Sequence, residues 1–202
     1  TIAIATAGGG FSPLKLILAG VATSYLLSAL TQYALARAGD DRKLRSAIFW
    51  QMGSVAGAQW RDLLLPLVVL VVGMAYLLVR ARRLDHLAFG DLTARSLGLR
   101  PNLLRAELVL VCAVMVGVCV AAAGGIGFVS LVVPHICRLV VGTAHSRLLP
   151  TSTALGGAFL VWADVAARVA TRPAELPIGV VTALVGGAAF AILLITRTKE
   201  EL

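Results

Sequence analysis

Residues 62–79 read DLLLPLVVLVVGMAYLLV, and residues 103–123 read LLRAELVLVCAVMVGVCVAAA. Both stretches are almost continuously apolar. Each is close to the length of about 20 helical residues that crosses the hydrocarbon core of a bilayer. The pattern predicts membrane-spanning helices.

The composition of the whole chain supports this prediction. The 202 residues are 59% hydrophobic and 14% charged, with a mean hydropathy of +0.91. An average soluble domain is about 45–50% apolar and about 25% charged, and a domain of this size cannot hide so much apolar surface from water. The chain is therefore predicted to be an integral membrane protein of the all-α class, a polytopic bundle of transmembrane helices.

We expect about six membrane helices in this chain. The fourth is short and contains Pro134, His135 and Arg138, so a kinked or re-entrant segment is the alternative there. The chain begins at Thr1 without a signal-peptide pattern, and we expect 1–202 to be an N-terminally truncated membrane domain. The six expected spans are 14–36, 62–79, 103–123, 126–141, 151–170 and 177–196.

The net charge of +8, from 18 basic and 10 acidic residues, would indicate nucleic acid in a soluble protein. In a membrane protein, basic residues instead mark the cytoplasmic loops, so no nucleic-acid partner is expected. With six spans, 11 of the 18 basic residues fall on the side that holds the linker 80–105 and the C-terminus. The positive-inside rule places that side in the cytoplasm.

Two connectors differ from ordinary loops. The outer connector, 37–61, has apolar residues at helical spacing beside Trp50 and predicts a short interfacial helix. The inner connector, 84–102, predicts one short amphipathic helix that begins near Asp91 and stops at Gly98. Its expected apolar face consists of Leu84, Leu87, Leu92 and Leu97. Such a helix could dock a partner, and the alternative is a helix resting on the bilayer.

The sequence shows no pattern of enzymatic chemistry. It lacks the phosphate-binding GxxxxGK[ST] motif, and its glycines at 125 and 127 lack the βαβ context of a dinucleotide site. His86, His135 and His145 are far apart, so neither a metal nor a cofactor site is expected. The three cysteines at 112, 119 and 137 fit small apolar residues.

Asp164 is the acidic residue nearest the middle of an expected span, and Arg168 follows it one helical turn later. At this spacing the two side chains share a helix face and can pair. Pairing is favoured over the alternative of a proton-relay carboxylate, which an intramembrane acid can also be.

Six motifs in order resemble the permease subunit of FecCD-type ABC importers, type II importers that take up ferric siderophores, haem and cobalamin. The motifs are LKLILAGVA (14–22), FWQMGSVAG (49–57), HLAFGDLTARSLGL (86–99), GGIGFVSLVVPHICRLVVG (124–142), HSRLLPTSTALGGAFLVWADVAAR (145–168) and ELPIGVVTALVGGAAFAILL (175–194). The resemblance implies a ten-helix subunit, of which this chain matches the last six. It also implies a location in the bacterial inner membrane and a transport role without enzymatic activity.

The resemblance further implies partners and residue roles. The partners are a second permease subunit (identical or paralogous), a dimer of ATP-binding cassette ATPases, a soluble substrate-binding protein and the lipid bilayer. The 84–102 loop matches the ATPase-coupling loop, and Arg168 matches a position that docks the binding protein. Ser12 and Pro13 match a cytoplasmic gate. The coupling positions are Asp91, Ala94, Leu97 and Gly98, and the structural positions are Pro134, His135, Arg138, Asp164, Pro177 and Gly179.

The cargo does not follow from the residues. A ferric siderophore is the first expectation, with haem or cobalamin as alternatives, because these are the cargoes of the resembling family. Two other classes stay open: an ion-coupled secondary transporter, which needs polar ion sites at the midplane, and a channel or membrane scaffold.

Overall fold

The computed structural model describes residues 13–37, 41–170 and 176–198; within these, the side chains of 13, 41, 43 and 192–198 are excepted. The described part is helical and contains no strand. A 3-10 turn, Trp60–Leu63, leads into the third helix. The helices are α1 (Pro13–Arg37), α2 (Asp41–Gln51), α3 (Leu64–Val79), α4 (Ala81–Ala88), α5 (Asp91–Ser96), α6 (Pro101–Ala123), α7 (Val129–Val141), α8 (His145–Ala170) and α9 (Ile178–Thr198).

Within the described residues, four helical segments are long and apolar enough to cross a membrane: Leu14–Arg37, Trp60–Val79, Pro101–Ala123 and His145–Ala170. The fold class is thus the predicted bundle of membrane helices. α9 has 21 residues, which matches the expected span 177–196.

The helix expected over 126–141 is shorter than predicted, although the chain here passes from Gly125, beside Gly53 and Gly179, to His145, beside Asp85 at the opposite end of the bundle. α7 has 13 residues, or about 20 Å at 1.5 Å per residue, against a hydrocarbon core of about 30 Å. It starts late because Phe128 has a left-handed backbone with φ +66°, and it ends at Gly142 with φ +83°. Pro134 lies inside it and removes one backbone hydrogen bond.

The helices pack in a few extensive pairs: α7 with α8, α3 with α6, and α9 with both α8 and α7. One buried cluster joins α7 and α8 through Val133, Cys137 and Leu148. A second joins α8 and α9 through Ala163, Ala167 and Ile178. The two clusters lie near opposite ends of α8, so this helix contributes to both buried clusters of the bundle.

Large apolar side chains cover much of the outside. Leu64, Val72 and Leu139 are 69%, 64% and 73% exposed, a surface that a monomer in water does not present. A bilayer is the solvent that such a surface matches.

The residues that the sequence places on one side of the membrane meet in the structure. On the outer side, the Ser54 backbone N–H donates to the Ala123 carbonyl at 2.8 Å, and an added Cβ on Gly179 would lie 2.0 Å from the Met52 carbonyl oxygen. On the other side, α4 packs against the start of α8. The predicted helix of the outer connector is present as α2, with Phe49 and Trp50 about half exposed.

Two helix boundaries differ from the prediction. α8 begins at His145, six residues before the expected position 151, because Asp85 from α4 accepts its first backbone N–H at 2.9 Å. The inner connector forms two helices rather than one, since the chain breaks at Gly90 with φ +103°. A non-glycine residue would be strained in that conformation.

Candidate functional site

The candidate site is the 84–102 loop. Its second helix, α5, is anchored to the membrane helix α6 by one ion pair. Asp91, the first residue of α5, accepts two hydrogen bonds from the Arg105 guanidinium, at 2.5 and 3.0 Å. These hydrogen bonds hold the pKa of the Asp91 carboxyl below its ordinary range. A two-pronged pair of this kind fixes orientation as well as distance, so α5 cannot turn independently of α6.

The end of α5 is closed by a glycine turn. The Leu99 N–H donates to the Ala94 carbonyl at 3.0 Å and the Gly98 N–H to the Arg95 carbonyl at 2.9 Å, the hydrogen bonds of a Schellman motif. Gly98 has φ +77°, which the motif requires at this position. The predicted stop at Gly98 is confirmed, and Pro101 then begins α6.

Ala94, an expected coupling position, lies inside the loop. Its side chain is completely buried within this chain, so any contribution to ATPase coupling acts through the packing of α5, and the coupling role stays a prediction. The small side chain lets α5 pack against its own neighbours, α4 and α6.

The expected single apolar face of the loop is also wrong. Leu84 and Leu87 are half-buried, whereas Leu92 and Leu97 are 85% and 55% exposed. The break at Gly90 separates the two pairs. Phe89, which the sequence analysis did not single out, is 76% exposed beside them. Its position directly before the glycine break is the signal that could have identified it.

We call Phe89, Leu92 and Leu97 the exposed loop patch. These three side chains lie outside the membrane-length helices, where water would surround them. Large exposed apolar side chains that lie close together along the chain and outside the membrane helices indicate a candidate interaction surface.

A second contact ties the loop to α8. Asp85 Oδ1 accepts the backbone N–H of His145 at 2.9 Å and lies 2.5 Å from its Nδ1. Burial alone would raise the pKa of Asp85, but the hydrogen bonds and charge of His145 outweigh it and lower the pKa below the ordinary value. The loop is therefore held at two points, one on α6 and one on α8.

At the far end of α8, Arg168 Nε donates to Asp164 Oδ2 at 2.8 Å. The predicted pairing at this spacing is confirmed. The Arg168 side chain is 45% exposed and that of Asp164 is 23% exposed, so the guanidinium is the more accessible member of the pair.

The positions that the resemblance marks as structural lie at helix starts and inside α7. Pro177 is buried and precedes α9, and Gly179 lies under the Met52 carbonyl. In α7, His135 is half-buried and forms no hydrogen bond or ion pair with the part of the chain that the structure describes, and Arg138 is exposed.

The structure does not test the two predicted gate positions. Ser12 lies outside the described residues, and Pro13 is the first residue of α1. Among residues 13–37, 41–170 and 176–198, no three His, Cys, Asp or Glu side chains form a group that could hold a metal ion.

The chain is similar to known proteins along almost its entire length. It is 44% identical over 201 residues to the cobalamin import system permease protein BtuC of Halobacterium salinarum, an alignment that covers 99% of this chain and 53% of that protein. It is 40% identical over 188 residues to the hemin transport system permease protein HmuU of Yersinia pestis, covering 93% and 55%. The chain thus spans about half the length of the curated relatives it matches.

The fold has a solved counterpart. A metal-chelate type ABC transporter in an inward-facing conformation superposes with a TM-score of 0.86 at 35% identity, covering 92% of this chain and 60% of that one. The sequence profile of the FecCD transport family matches residues 1–196. This chain is therefore a member of the FecCD transport family of ABC permeases.

Proposed function

We propose that this chain is part of the membrane subunit of an ATP-driven importer in the bacterial inner membrane. The ATP is hydrolysed by a separate dimer of ATP-binding cassette subunits. A second permease subunit, identical or paralogous, completes the pathway, and a soluble binding protein delivers the cargo from outside.

The observation that carries the proposal is the exposed loop patch on a doubly anchored loop. Phe89 and Leu92 are 76% and 85% exposed and offer an apolar surface for docking. The Asp91–Arg105 and Asp85–His145 contacts connect that surface to α6 and α8. A partner that binds the patch and then moves would displace two membrane helices with it.

The chain supplies no energy of its own in this scheme. A partner can shift an equilibrium between two conformations only by binding one of them more strongly than the other. ATP-bound ATPase subunits would hold the 84–102 loops of two permease subunits in one relative position. Their release after hydrolysis would allow the other position.

On the outer side, Arg168 is proposed to meet an acidic residue of the binding protein. Its guanidinium is partly exposed and is oriented by Asp164 at 2.8 Å. A charge at the rim of an interface mainly sets register and association rate. Ser12 and Pro13 are proposed to lie at the cytoplasmic gate by resemblance to the family.

The proposed cargo is a chelated metal. The relatives above carry cobalamin and hemin in their names, and the solved counterpart is of the metal-chelate type. The ferric siderophore favoured from the sequence is one member of this class. Binding of cyanocobalamin, haemin, ferric citrate and a ferric siderophore to the purified partner binding protein would identify the cargo.

The test is a double substitution in the exposed loop patch of the natively encoded protein, Phe89→Ala with Leu92→Ala. We expect loss of ATPase co-purification and at least a tenfold fall in ATP-driven uptake into proteoliposomes, with normal membrane insertion. Leu139→Ala is the matched control, because Leu139 is a similarly exposed leucine (73%) outside the loop. Uptake that survives the double substitution would refute the proposal.

The same proteoliposomes separate this function from an ion-coupled transporter. Vanadate, which inhibits the ATPase, should stop uptake, and an uncoupler should not. The opposite result, together with loss of uptake in Asp164→Asn, would favour the secondary transporter.

A further inference from the structure

A cavity of about 250 Å³ opens between the start of α4, the end of the 84–102 loop and α6. Its wall contains three guanidinium groups, Arg80, Arg83 and Arg100, and one carboxylate, Glu107. The lining therefore carries a net charge of +2. Gly98 and Leu103 also line the cavity.

The three arginines are not equivalent. Arg80 is already engaged, because it lies 3.3 Å from Glu107 and stacks over the Tyr76 ring at 4.6 Å. The Tyr76 hydroxyl donates to the same Glu107 oxygen at 2.9 Å. This network fixes the inner wall and neutralises one positive charge.

Arg83 and Arg100 supply the charge that is left. Both are exposed, and neither forms an ion pair with any residue in the described ranges. They approach the cavity from different elements, Arg83 from α4 and Arg100 from the turn before α6. Arg100 is also the N-terminal cap residue of the 23-residue α6, which has no side-chain cap. The positive end of the helix dipole adds to the attraction for an anion there.

The cavity lies at the level where membrane helices end. α3 ends at Val79 and α6 begins at Pro101. Leu103, which lines the cavity, is 55% exposed; Val79, at the end of α3, and Leu110, two turns further along α6, are 86% and 60% exposed. Leu103 and Leu110 lie seven residues apart and share a helix face. Glu107, between them on that face, is engaged by Arg80 and Tyr76, so the exposed side chains that continue along α6 toward the membrane interior are apolar.

A positive cavity above an apolar helix face fits one kind of ligand. Basic pockets between membrane helices on the cytoplasmic side bind the headgroups of anionic lipids. We propose that Arg83 and Arg100, with Arg80 behind them, bind the phosphate of an anionic phospholipid whose acyl chains lie along Leu103 and Leu110. The site is distinct from the exposed loop patch and requires only that the chain lies in a bilayer, so it does not depend on the transport proposal.

The test is lipid binding to the purified, natively encoded protein in detergent, measured by native mass spectrometry during titration with dioleoylphosphatidylglycerol. Dioleoylphosphatidylcholine is the neutral comparison lipid. We expect Arg83→Gln with Arg100→Gln to raise the apparent Kd for phosphatidylglycerol about 20- to 30-fold, since each basic residue near an anionic membrane surface contributes about fivefold. Phosphatidylcholine binding should not change.

The matched control removes the same amount of charge elsewhere on the same side. Arg82 and Arg147 are exposed and do not line this cavity, so Arg82→Gln with Arg147→Gln should change the Kd less than twofold. Arg83→Lys with Arg100→Lys keeps the charge and should retain most of the binding, which guards against a general folding defect.

Several results would overturn the inference. An equal loss in the control pair would show a non-specific charge effect. Displacement of the lipid by 10 mM inorganic phosphate would assign the cavity to a free anion. A glutamine pair that binds phosphatidylglycerol normally but no longer binds the ATPase subunit would assign the arginines to an acidic protein surface.

Discussion

Asp85 and His145 are 60 residues apart in the chain, yet the Asp85 carboxylate accepts the backbone N–H with which α8 begins. This contact joins the loop that carries the exposed patch to the longest helix of the bundle. α8 has 26 residues, about 39 Å at 1.5 Å per residue, and ends two residues after Arg168. The loop and the expected docking position for the binding protein are therefore connected by one helix.

Replacing Asp85 should loosen this connection. Asp85→Ala removes the acceptor for the first N–H of α8 and should lower the free energy of unfolding by about 1 kcal/mol, as the loss of a helix cap does. Thermal unfolding of the detergent-purified protein measures the loss. Asp62→Ala, at an exposed acid on the 3-10 turn, is the control and should change the melting temperature little; an equal fall in both would contradict the assignment.

The same contact predicts a pH dependence. The pKa of Asp85 is lowered in the fold below its ordinary 3.8. A group with a lowered folded pKa stabilises the protein above its unfolded pKa and loses that effect as pH falls through the folded value. The melting-temperature difference between the natural protein and Asp85→Asn should be present at pH 5, begin to shrink near pH 3.8 and be lost as the pH falls through the lower folded pKa of Asp85. A difference that grew in acid would show the opposite linkage.

Gly179 should tolerate no side chain. An added Cβ would lie 2.0 Å from the Met52 carbonyl oxygen and 3.0 Å from that of Gly125, so Gly179→Ala forces α9 away from the outer turn. Overpacking of this kind costs about 1–3 kcal/mol. Gly157→Ala is the matched control, because nothing lies within 4 Å of its added Cβ and alanine favours a helix. Equal stability of the two variants would contradict the close approach.

Gly98 tests the turn that ends α5. Gly98→Arg places a bulky charged side chain at φ +77° beside Leu97 and should abolish ATP-driven uptake while the protein still inserts into the membrane. Gly98→Asn is the control, since asparagine tolerates left-handed conformations better than other residues, and it should retain most uptake. Normal uptake with arginine at this position would exclude a coupling role for the turn.

Arg168 tests the outer surface. Under the proposed function, Arg168→Glu should slow association with the binding protein by about tenfold or more at low salt, with a smaller effect on dissociation, as rim charges do. Surface plasmon resonance on the reconstituted complex measures both rates. Arg61→Glu reverses an arginine whose side chain is 79% exposed and should have no comparable effect; identical rates for the natural protein and Arg168→Glu would remove Arg168 from the interface.

The local sequence pattern was sufficient to predict the class of fold and several of its details. Runs such as 62–79 predict membrane helices because apolar side chains over that length have no other stable environment. The stop at Gly98 and the pairing of Asp164 with Arg168 depend on residues within one or two turns of each other. Interactions of that range can be read from spacing alone.

The arrangement of the candidate site required the tertiary structure. The early start of α8 depends on a carboxylate 60 residues away, and the burial of Ala94 depends on helices that pack around it from both directions along the chain. Because the chain breaks at Gly90, Leu84 and Leu87 are half-buried whereas Leu92 and Leu97 are exposed. A pattern that assumes one continuous helix puts all four on the same face. Sequence alone determined a helical membrane protein with a structured inner loop, because solvent preference and short-range hydrogen bonds are local properties. Which faces of that loop are buried, braced or exposed was decided only by long-range packing, because it depends on side chains that meet only after the helices assemble.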